Sequence, residues 1–242
     1  MKSLPTSYTA ARKWGIILLL ALASLGAALL SMSFGSTQVP FSEILTALMG
    51  GETQAYNIVV YARLPRTLAA LLCGSALAVG GVIIQGVLGN PLAGPNIMGA
   101  LGACMLVYTL ARRTGASRIT LVLAGVAISS MLSAAIDAVS ILFPEAALGA
   151  GSFMVGRLSG VTVAALKVPA LLSLLAGAGA FAMSYELDLL TLGDEVAQSL
   201  GLSARAARNL LLTLAAVLCG AAVSFAGLVG FVGLLVPHAA RF

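Results

Sequence analysis

The sequence predicts an all-α, polytopic membrane protein whose helices cross a lipid bilayer several times. Of its 242 residues, 60% are hydrophobic and only 9% are charged, and the mean hydropathy is +1.06. Soluble domains carry about 25% charged residues, so this chain has too few to cover a water-facing surface. Its 27 glycines occur without a low-complexity tract, a composition that suits helices packed closely through small residues in lipid.

The net charge of +5 does not indicate nucleic-acid binding, because the cations lie at the ends of apolar runs, where topology-setting charges are found. The clusters are Arg12 and Lys13; Arg112, Arg113 and Arg118; and Arg205 and Arg208. Cys73, Cys104 and Cys219 are isolated in apolar stretches, and His238 is the single histidine. The sequence therefore predicts no disulfide, no metal site and no cofactor.

The first apolar run, Trp14–Met32, follows three cations and is longer than the apolar core of about 7–15 residues in a signal peptide. We therefore expect a retained first span with a cytoplasmic N-terminus. Residues 33–66 are more polar. Within them, Pro40–Leu45 predicts a helix start, with Ser42 as its N-cap and an acid in the first turn.

Thr67–Ala111 contains no charged residue and is too long for one span of about 20 residues. Turn-forming residues at Gly89–Asn96 divide it into a span, Thr67–Leu88, and a second apolar piece, Ile97–Ala111. This second piece would reach only about 22 Å across a hydrocarbon core of about 30 Å. If it crossed fully, the later cation clusters would lie outside, against the positive-inside rule. The charges favour one missing crossing here.

Further spans are predicted downstream, for a total of about six to seven apolar segments. They are Ile119–Phe143, Val168–Tyr185, Asn209–Gly227 and the shorter Leu228–Val236. A glycine-rich stretch around Arg157 is expected on the outer side. Asp137, an acid in an apolar run, lies 19 residues after Arg118 and is expected near the outer boundary, or lining the outer mouth of a cavity.

Two segments carry more specific information, and the first leads into the Thr67–Leu88 span. Pro65 lies where a helix tolerates proline, in the first turn. Ala70, Gly74 and Ala78 recur every four residues and predict a smooth face for another helix. A well-packed central helix without a further role is the alternative interpretation.

The second segment is Gly193–Arg205. Asp194 is expected to cap a short helix that Gly201 ends, and Ser203 is expected to start another. Val196 and Leu200 share one face of the first helix. Such a pair of helices on the cation-rich side would fit a groove on a cytoplasmic partner, although an ordinary solvated loop remains the alternative.

Four blocks of sequence resemble the FecCD-type permeases, the membrane subunits of ABC importers for iron-siderophores, haem and cobalamin. The blocks are RLPRTLAALLCGSALAVGGVIIQGVLGNPLAGPNIMGA, LVLAGVAISS, GDEVAQSLGLSARAARN and AGLVGFVGLLVPHAAR. They occur in the family's order over most of Val39–Phe242. The resemblance implies one permease domain over residues 1–242 of a normally ten-span bundle. It also implies a bacterial cytoplasmic-membrane location and a translocation path between two permease subunits, alike or different.

The resemblance further implies partners and the residues that would meet them. Two cytoplasmic ATPases would dock on a loop at residues 188–208, through Gly193, Asp194, Glu195, Ala197, Leu200, Gly201, Leu202 and Arg205. A periplasmic binding protein would dock outside, with Arg157 as a candidate contact. Helix packing and the translocation path would involve Arg63, Pro65, Arg66, Gly74, Gln85, Asn90 and Pro91.

The chain is shorter than the family pattern in two places. Compared with the family pattern, we expect the rest of one span and most of another to be fused into one short piece between Gly99 and Leu121. We also expect two further spans where the family continues after Val236-Pro237-His238, and this sequence does not contain them. We therefore expect a chain that inserts into the membrane but does not support uptake by itself.

The sequence contains no G-x-x-x-x-G-K-[ST] motif, so ATP hydrolysis would belong to a separate polypeptide and this chain would not be an enzyme.

Two other classes of protein remain as alternatives to an ABC permease. An ion-coupled secondary transporter would need charged groups at mid-depth and a pair of broken helices, which Asp137 alone does not satisfy. The other alternative is a non-transporting remnant.

Overall fold

The computed structural model describes residues 10–51, 53–90, 93, 118–229 and 232–239, and these ranges contain helices and no strand. The predicted all-α class is confirmed. The helices are α1 (Ala10–Ser33), α2 (Phe41–Leu48), α3 (Leu64–Leu88), α4 (Arg118–Leu142), α5 (Pro144–Val155), α6 (Val163–Ala182), α7 (Ser184–Thr191), α8 (Asp194–Ser199), α9 (Ala204–Ala226) and α10 (Val232–Ala239).

Among the described residues, four helical stretches are long and apolar enough to cross a membrane. They are Trp14–Ser33, Ile58–Leu88, Val163–Ala182 and Ala204–Ala226, and Ser133–Leu142 is a shorter apolar helix. Large apolar side chains point outward on these stretches, for example Trp14 (70% exposed) and Phe181 (83% exposed). Water would not tolerate such a surface but lipid does, so the chain is a membrane protein with several spans. Ile97–Ala111 lies outside the described residues.

Helix boundaries differ from those read from hydropathy. α6 begins at Val163 rather than Val168, and α9 begins at Ala204 rather than Asn209. A charged residue near the start of each helix, Lys167 in α6 and Arg208 in α9, interrupts the apolar run, whereas the helix continues through it. The glycine-rich stretch is partly helical as well, because α5 begins with Pro144 at a position that favours proline and ends before Gly156, which has φ 71°.

Ser42 is not the N-cap of α2, contrary to the sequence prediction. The cap residue is Pro40, with φ −59° and ψ 147°, and no side chain caps the helix. Ser42 lies in the first turn, where its carbonyl accepts a hydrogen bond from Thr46 Oγ1 at 2.9 Å. Proline's fixed φ sets the chain direction at this position, and the helix begins at Phe41, two residues before the start that a cap at Ser42 would give.

A π-helical segment, Ile58–Arg63, runs directly into α3. Pro65 follows two residues later. Its nitrogen has no hydrogen to donate to the carbonyl of Tyr61, and in a regular α-helix its ring would clash with that carbonyl. A wider turn before the proline relieves this clash, and such π-helical turns occur frequently at functional sites.

The chain divides into two units, of which the first comprises Met1–Leu68 and Gly160–Val163. Its core is small and apolar. The buried side chains are those of Met32, Val39, Ile44, Ala47, Ala55 and Val59. The hydroxyls of Ser31 and Thr67 also lie 3.2 Å apart in this unit, so they link α1 to the start of α3.

The second unit comprises Ala69–Ser159 and Ala164–Phe242, and its core forms where other helices approach α3 closely. A Cβ added to Gly80 would lie 2.8 Å from Sγ of Cys219 in α9, and one added to Gly81 would overlap the carbonyl of Gly233 in α10. The backbones approach this closely only because glycine has no side chain. In lipid, such van der Waals packing is a main source of helix association.

We predict that Gly81→Ala destabilises the protein, whereas Gly74→Ala in the same helix does not. The added methyl at position 81 overlaps backbone, which cannot move aside as a side chain can, and such overpacking costs about 1–3 kcal/mol. No described atom lies within 4 Å of a Cβ at position 74, and alanine is the better helix former. Thermal unfolding of both variants in detergent measures the difference; an equal Tm for the two would contradict the prediction.

Candidate functional site

Arg63 is 9% exposed and its guanidinium lies at the C-terminal end of α1. Nη1 donates hydrogen bonds to the carbonyl oxygens of Met32, at 2.6 Å, and Ser33, at 2.9 Å. Nη2 donates to the carbonyl of Thr37. The last carbonyls of a helix have no partner within it and attract cations. Arg63 therefore ties the end of α1 to the π-helical segment before α3.

The other residues that the sequence singled out along α3 have different environments. Pro65 is fully buried and Gln85 is 2% exposed, whereas Arg66 and Asn90 are exposed. Gly74 faces open space among the described residues, so the closest helix contacts of α3 lie at Gly80 and Gly81 instead. Pro91 is outside the described residues.

The Gly193–Arg205 segment consists of α8 and the turns on either side of it. Gly193 precedes α8 with φ 106°, and Gly201 follows it with φ 85°. Gly201 therefore ends the helix as expected, in a conformation that residues with a Cβ rarely adopt. Ser203 is the residue before α9, as predicted, although its side chain makes no capping hydrogen bond.

Asp194 does not cap α8, which corrects the sequence prediction. The cap position belongs to Gly193, and Asp194 is the first residue of the helix. Its Oδ1 lies 2.5 Å from Nη2 of Arg208 in α9, and the two side chains are 46% and 35% exposed. An acid in the first helical turn also interacts favourably with the positive end of the helix dipole.

One face of α8 is anchored and the other is exposed. Ala197 is completely buried in the core of the second unit, and its carbonyl accepts a hydrogen bond from the backbone N–H of Leu202 at 3.0 Å. On the outside, Val196 is 43% exposed and Leu200 is 59% exposed. Glu195 and Arg205 are exposed as well. The segment therefore presents apolar side chains flanked by charges, on a small helix whose opposite face is anchored in the core.

The α7 helix connects this segment to the core. Leu189 and Leu190 are buried, and Leu187 and Thr191 pack on Gly86 of α3, where an added Cβ would lie 2.8 Å from Cδ1 of Leu187. A displacement of α8 can therefore reach both α9 and α3.

Arg157 lies at the opposite end of α9 from the Gly193–Arg205 segment. Its backbone N–H donates to the carbonyl of Ala226 at 2.8 Å, and that of Leu228 donates to the carbonyl of Phe153 at 2.8 Å. The 23 residues of α9 span about 35 Å, which is enough to separate the two ends by a membrane. The Arg157 side chain is exposed, as is that of Asp137 in α4.

An open groove of about 640 Å³ runs between α3 and α6, with Leu218 of α9 also contributing. None of the residues that line it is ionisable. They are Leu72, Ser75, Ala76, Val79, Ala170, Ser173, Leu174, Gly177, Ala178, Phe181 and Leu218. Among the described residues, no group of three His, Cys, Asp or Glu could hold a metal ion. The arrangement offers surfaces and a groove, with no assembly of reactive groups in the part of the chain that the structure describes.

Comparison with known proteins finds the FecCD transport family, whose model matches residues 18–102 and 97–242. The chain is 34% identical to the ferric enterobactin permease protein FepD of Escherichia coli (strain K12), with 94% of this chain and 77% of FepD covered. It is 33% identical to the Fe(3+) dicitrate permease protein FecD of the same strain, with 95% and 81% covered. It is 31% identical to the hemin permease protein HmuU of Yersinia pestis, with 93% and 77% covered.

A solved inward-facing structure of a metal-chelate type ABC transporter shares the fold. The TM-score is 0.71 with 24% sequence identity, and the match covers 94% of this chain and 80% of the other. The two ranges matched by the family model meet at 97–102, and the alignment with FepD extends over 264 positions although this chain has 242 residues. These findings agree with the predicted internal shortening after Gly99.

We predict that Arg63→Met destabilises the protein and that Arg66→Met, three residues away, has little effect. The first change leaves the carbonyls of Met32, Ser33 and Thr37 without their cationic donor. The free energy of unfolding should fall by about 2 kcal/mol, because Arg63 is buried and Arg66 is exposed. Tm in detergent tests this, and equal losses from both variants would mean that the hydrogen bonds of Arg63 are unimportant.

Proposed function

The chain belongs to the FecCD transport family, and we propose that it is the membrane-spanning permease subunit of an ATP-binding-cassette importer in a bacterial cytoplasmic membrane. The observation that carries the proposal is the exposed Gly193–Arg205 segment at one end of a membrane-length helix. It provides a docking surface for a protein that supplies energy, and the given sequence contains no G-x-x-x-x-G-K-[ST] motif.

The proposed cargo is an iron chelate, haem or cobalamin. The names of the three relatives described above specify ferric enterobactin, Fe(3+) dicitrate and hemin. A further relative, 32% identical over 77% of this chain, is named as a cobalamin permease. All are large, and a groove without ionisable groups such as that between α3 and α6 offers an apolar wall rather than a tight polar site. Selection of the cargo would then belong to a separate binding protein, and the path would form beside a second permease subunit.

The proposed ATPase partner docks on the exposed face of α8. Val196 and Leu200 offer apolar area, and Glu195 and Arg205 flank it with opposite charges. A short helix whose apolar face enters a groove is a recurrent mode of recognition, and the flanking charges would select the partner. ATP-driven movement of the partner would then push α8, and through α7 and α9 would reorient the helices around the path.

The proposed binding-protein contact lies at the other end of the molecule, near Arg157. This side chain is exposed where α5 meets the end of α9. An exposed cation can guide an acidic surface into place over several ångströms. From the positive-inside rule we propose that the N-terminus, the Arg112–Arg118 cluster and the Gly193–Arg205 segment face the cytoplasm, and that Arg157 lies outside.

A non-transporting form of the same permease is the second candidate function, and the internal shortening after Gly99 favours it. Uptake of ferric chelate in a strain that lacks its own permease, but expresses the ATPase and the binding protein, separates the two candidates. Uptake supports a working permease, and membrane insertion without uptake supports the non-transporting form.

We predict that Gly201→Val abolishes stimulation of the partner ATPase but leaves membrane insertion intact, whereas Gly160→Val leaves stimulation intact. Both glycines have φ 85° and open space around them, so valine causes the same backbone strain at each position. Only Gly201 shapes the proposed docking surface. ATP hydrolysis with the purified ATPase measures the effect; normal stimulation by the Gly201 variant would exclude this segment as the coupling element.

We also predict that cysteines introduced at Ser117 and Ser203 react only with reagents that reach the cytoplasm, and that one at Ser159 reacts from outside. Ser203 and Arg157 lie at opposite ends of α9, and the cation clusters favour the cytoplasm for the first end. Labelling of intact cells with an impermeant maleimide checks the assignment. Outside labelling at position 203 would reverse the topology.

A further inference from the structure

The α8 helix cannot hold its direction by itself. It has six residues, Asp194–Ser199, and isolated helices shorter than about 12–15 residues are marginal in water. Glycines with positive φ lie at both of its ends, Gly193 at 106° and Gly201 at 85°. The direction of α8 therefore depends on its contacts with the helices around it.

Two contacts at different points along α8 set this direction. In the middle, Ala197 is completely buried in the core. At the first residue, Asp194 pairs with Arg208 of α9 through Oδ1 and Nη2 at 2.5 Å. The buried alanine alone would act as a pivot, about which α8 could swing. The ion pair adds a second fixed point and so makes α8 and α9 move together.

The ion pair is accessible to solvent. Its side chains are 46% and 35% exposed, and an exposed pair is weak in water and screened by salt. Either charge can therefore be neutralised without leaving its partner buried and unpaired. A change in coupling in such a variant then reports on the connection between α8 and α9.

We propose that the ion pair between Asp194 and Arg208 transmits the movement of α8 to α9. Asp194 and Arg208 are thus positioning residues that couple ATP hydrolysis to helix movement and contribute little to partner affinity. The inference rests on the proposed function, since it requires an ATPase docked on α8.

The test uses the full chain in lipid nanodiscs with the ABC ATPase that co-purifies with it. Asp194→Asn and Arg208→Gln remove one charge each, Arg208→Lys keeps the charge, and Asp194→Arg with Arg208→Asp reverses the pair. Asp188→Asn is the matched control, because Asp188 lies on the neighbouring α7 and its side chain is exposed. The amount of bound ATPase and the stimulated rate of ATP hydrolysis are measured for each variant.

We expect the two single neutralisations to lower stimulation about fivefold, a loss in the range of one exposed ion pair, with unchanged ATPase binding. The lysine variant and the reversed pair should each recover at least about half of the stimulation, because each retains opposite charges at the two positions. The reversed pair places a cation at the start of α8, against the helix dipole, so its recovery is incomplete. Asp188→Asn should behave as the wild type.

Three results would overturn the inference. The first is normal stimulation by both single variants, and the second is a reversed pair as poorly coupled as the single variants although it purifies as a monodisperse protein. The third is loss of ATPase binding in the single variants, which would make Asp194 and Arg208 docking residues. Failure of the wild-type chain to bind any ATPase is a separate outcome, because it overturns the proposed function and the inference with it.

Discussion

The close packing of α3 against its neighbours is the contact on which the second unit depends. In lipid the hydrophobic effect does not drive helices together, so the gain must come from surfaces that fit. Gly80 and Gly81 let α9 and α10 approach the backbone of α3, and Gly86 lets α7 do so. The same packing gives the Gly193–Arg205 segment a firm base, because α7 and α9 lead directly into it. Movement of the short helix α8 is transmitted to the other helices only if those helices are packed together and move as one body.

The class of fold could be predicted from the sequence because the scarcity of charge leaves lipid as the only suitable solvent. The helix boundaries could not be predicted as well. Hydropathy identifies the residues that lie in lipid, so it missed the first turns of α6 and α9, which begin at Val163 and Ala204. Ser42 has the right chemistry for a cap, but the backbone of Pro40 had already set the helix start. Local patterns therefore identified most elements, and the neighbouring backbone determined their ends.

The candidate site was partly predictable for a similar reason. Gly201 ends α8 as expected, since the positive φ of such a turn favours glycine strongly. The role of Asp194 was wrong because its partner, Arg208, is 14 residues away and the sequence does not show that two helices fold back to bring them together. Arg63 was singled out by its place in a motif, but its binding partners are backbone carbonyls, which leave no trace in a sequence. Arg63 and Arg66 both precede the apolar span, and the sequence does not show which of the two is buried.

The central claim is that an ABC ATPase binds the exposed face of α8. Site-specific photo-crosslinking tests it most directly, with a photoreactive amino acid placed at Val196, and at Leu228 as the control. Both side chains are exposed, at 43% and 47%, and they lie beyond opposite ends of α9. The account predicts a crosslink to an ABC ATPase from position 196 and none from position 228. Absence of an ATPase product at position 196, or the same product from both positions, would contradict it.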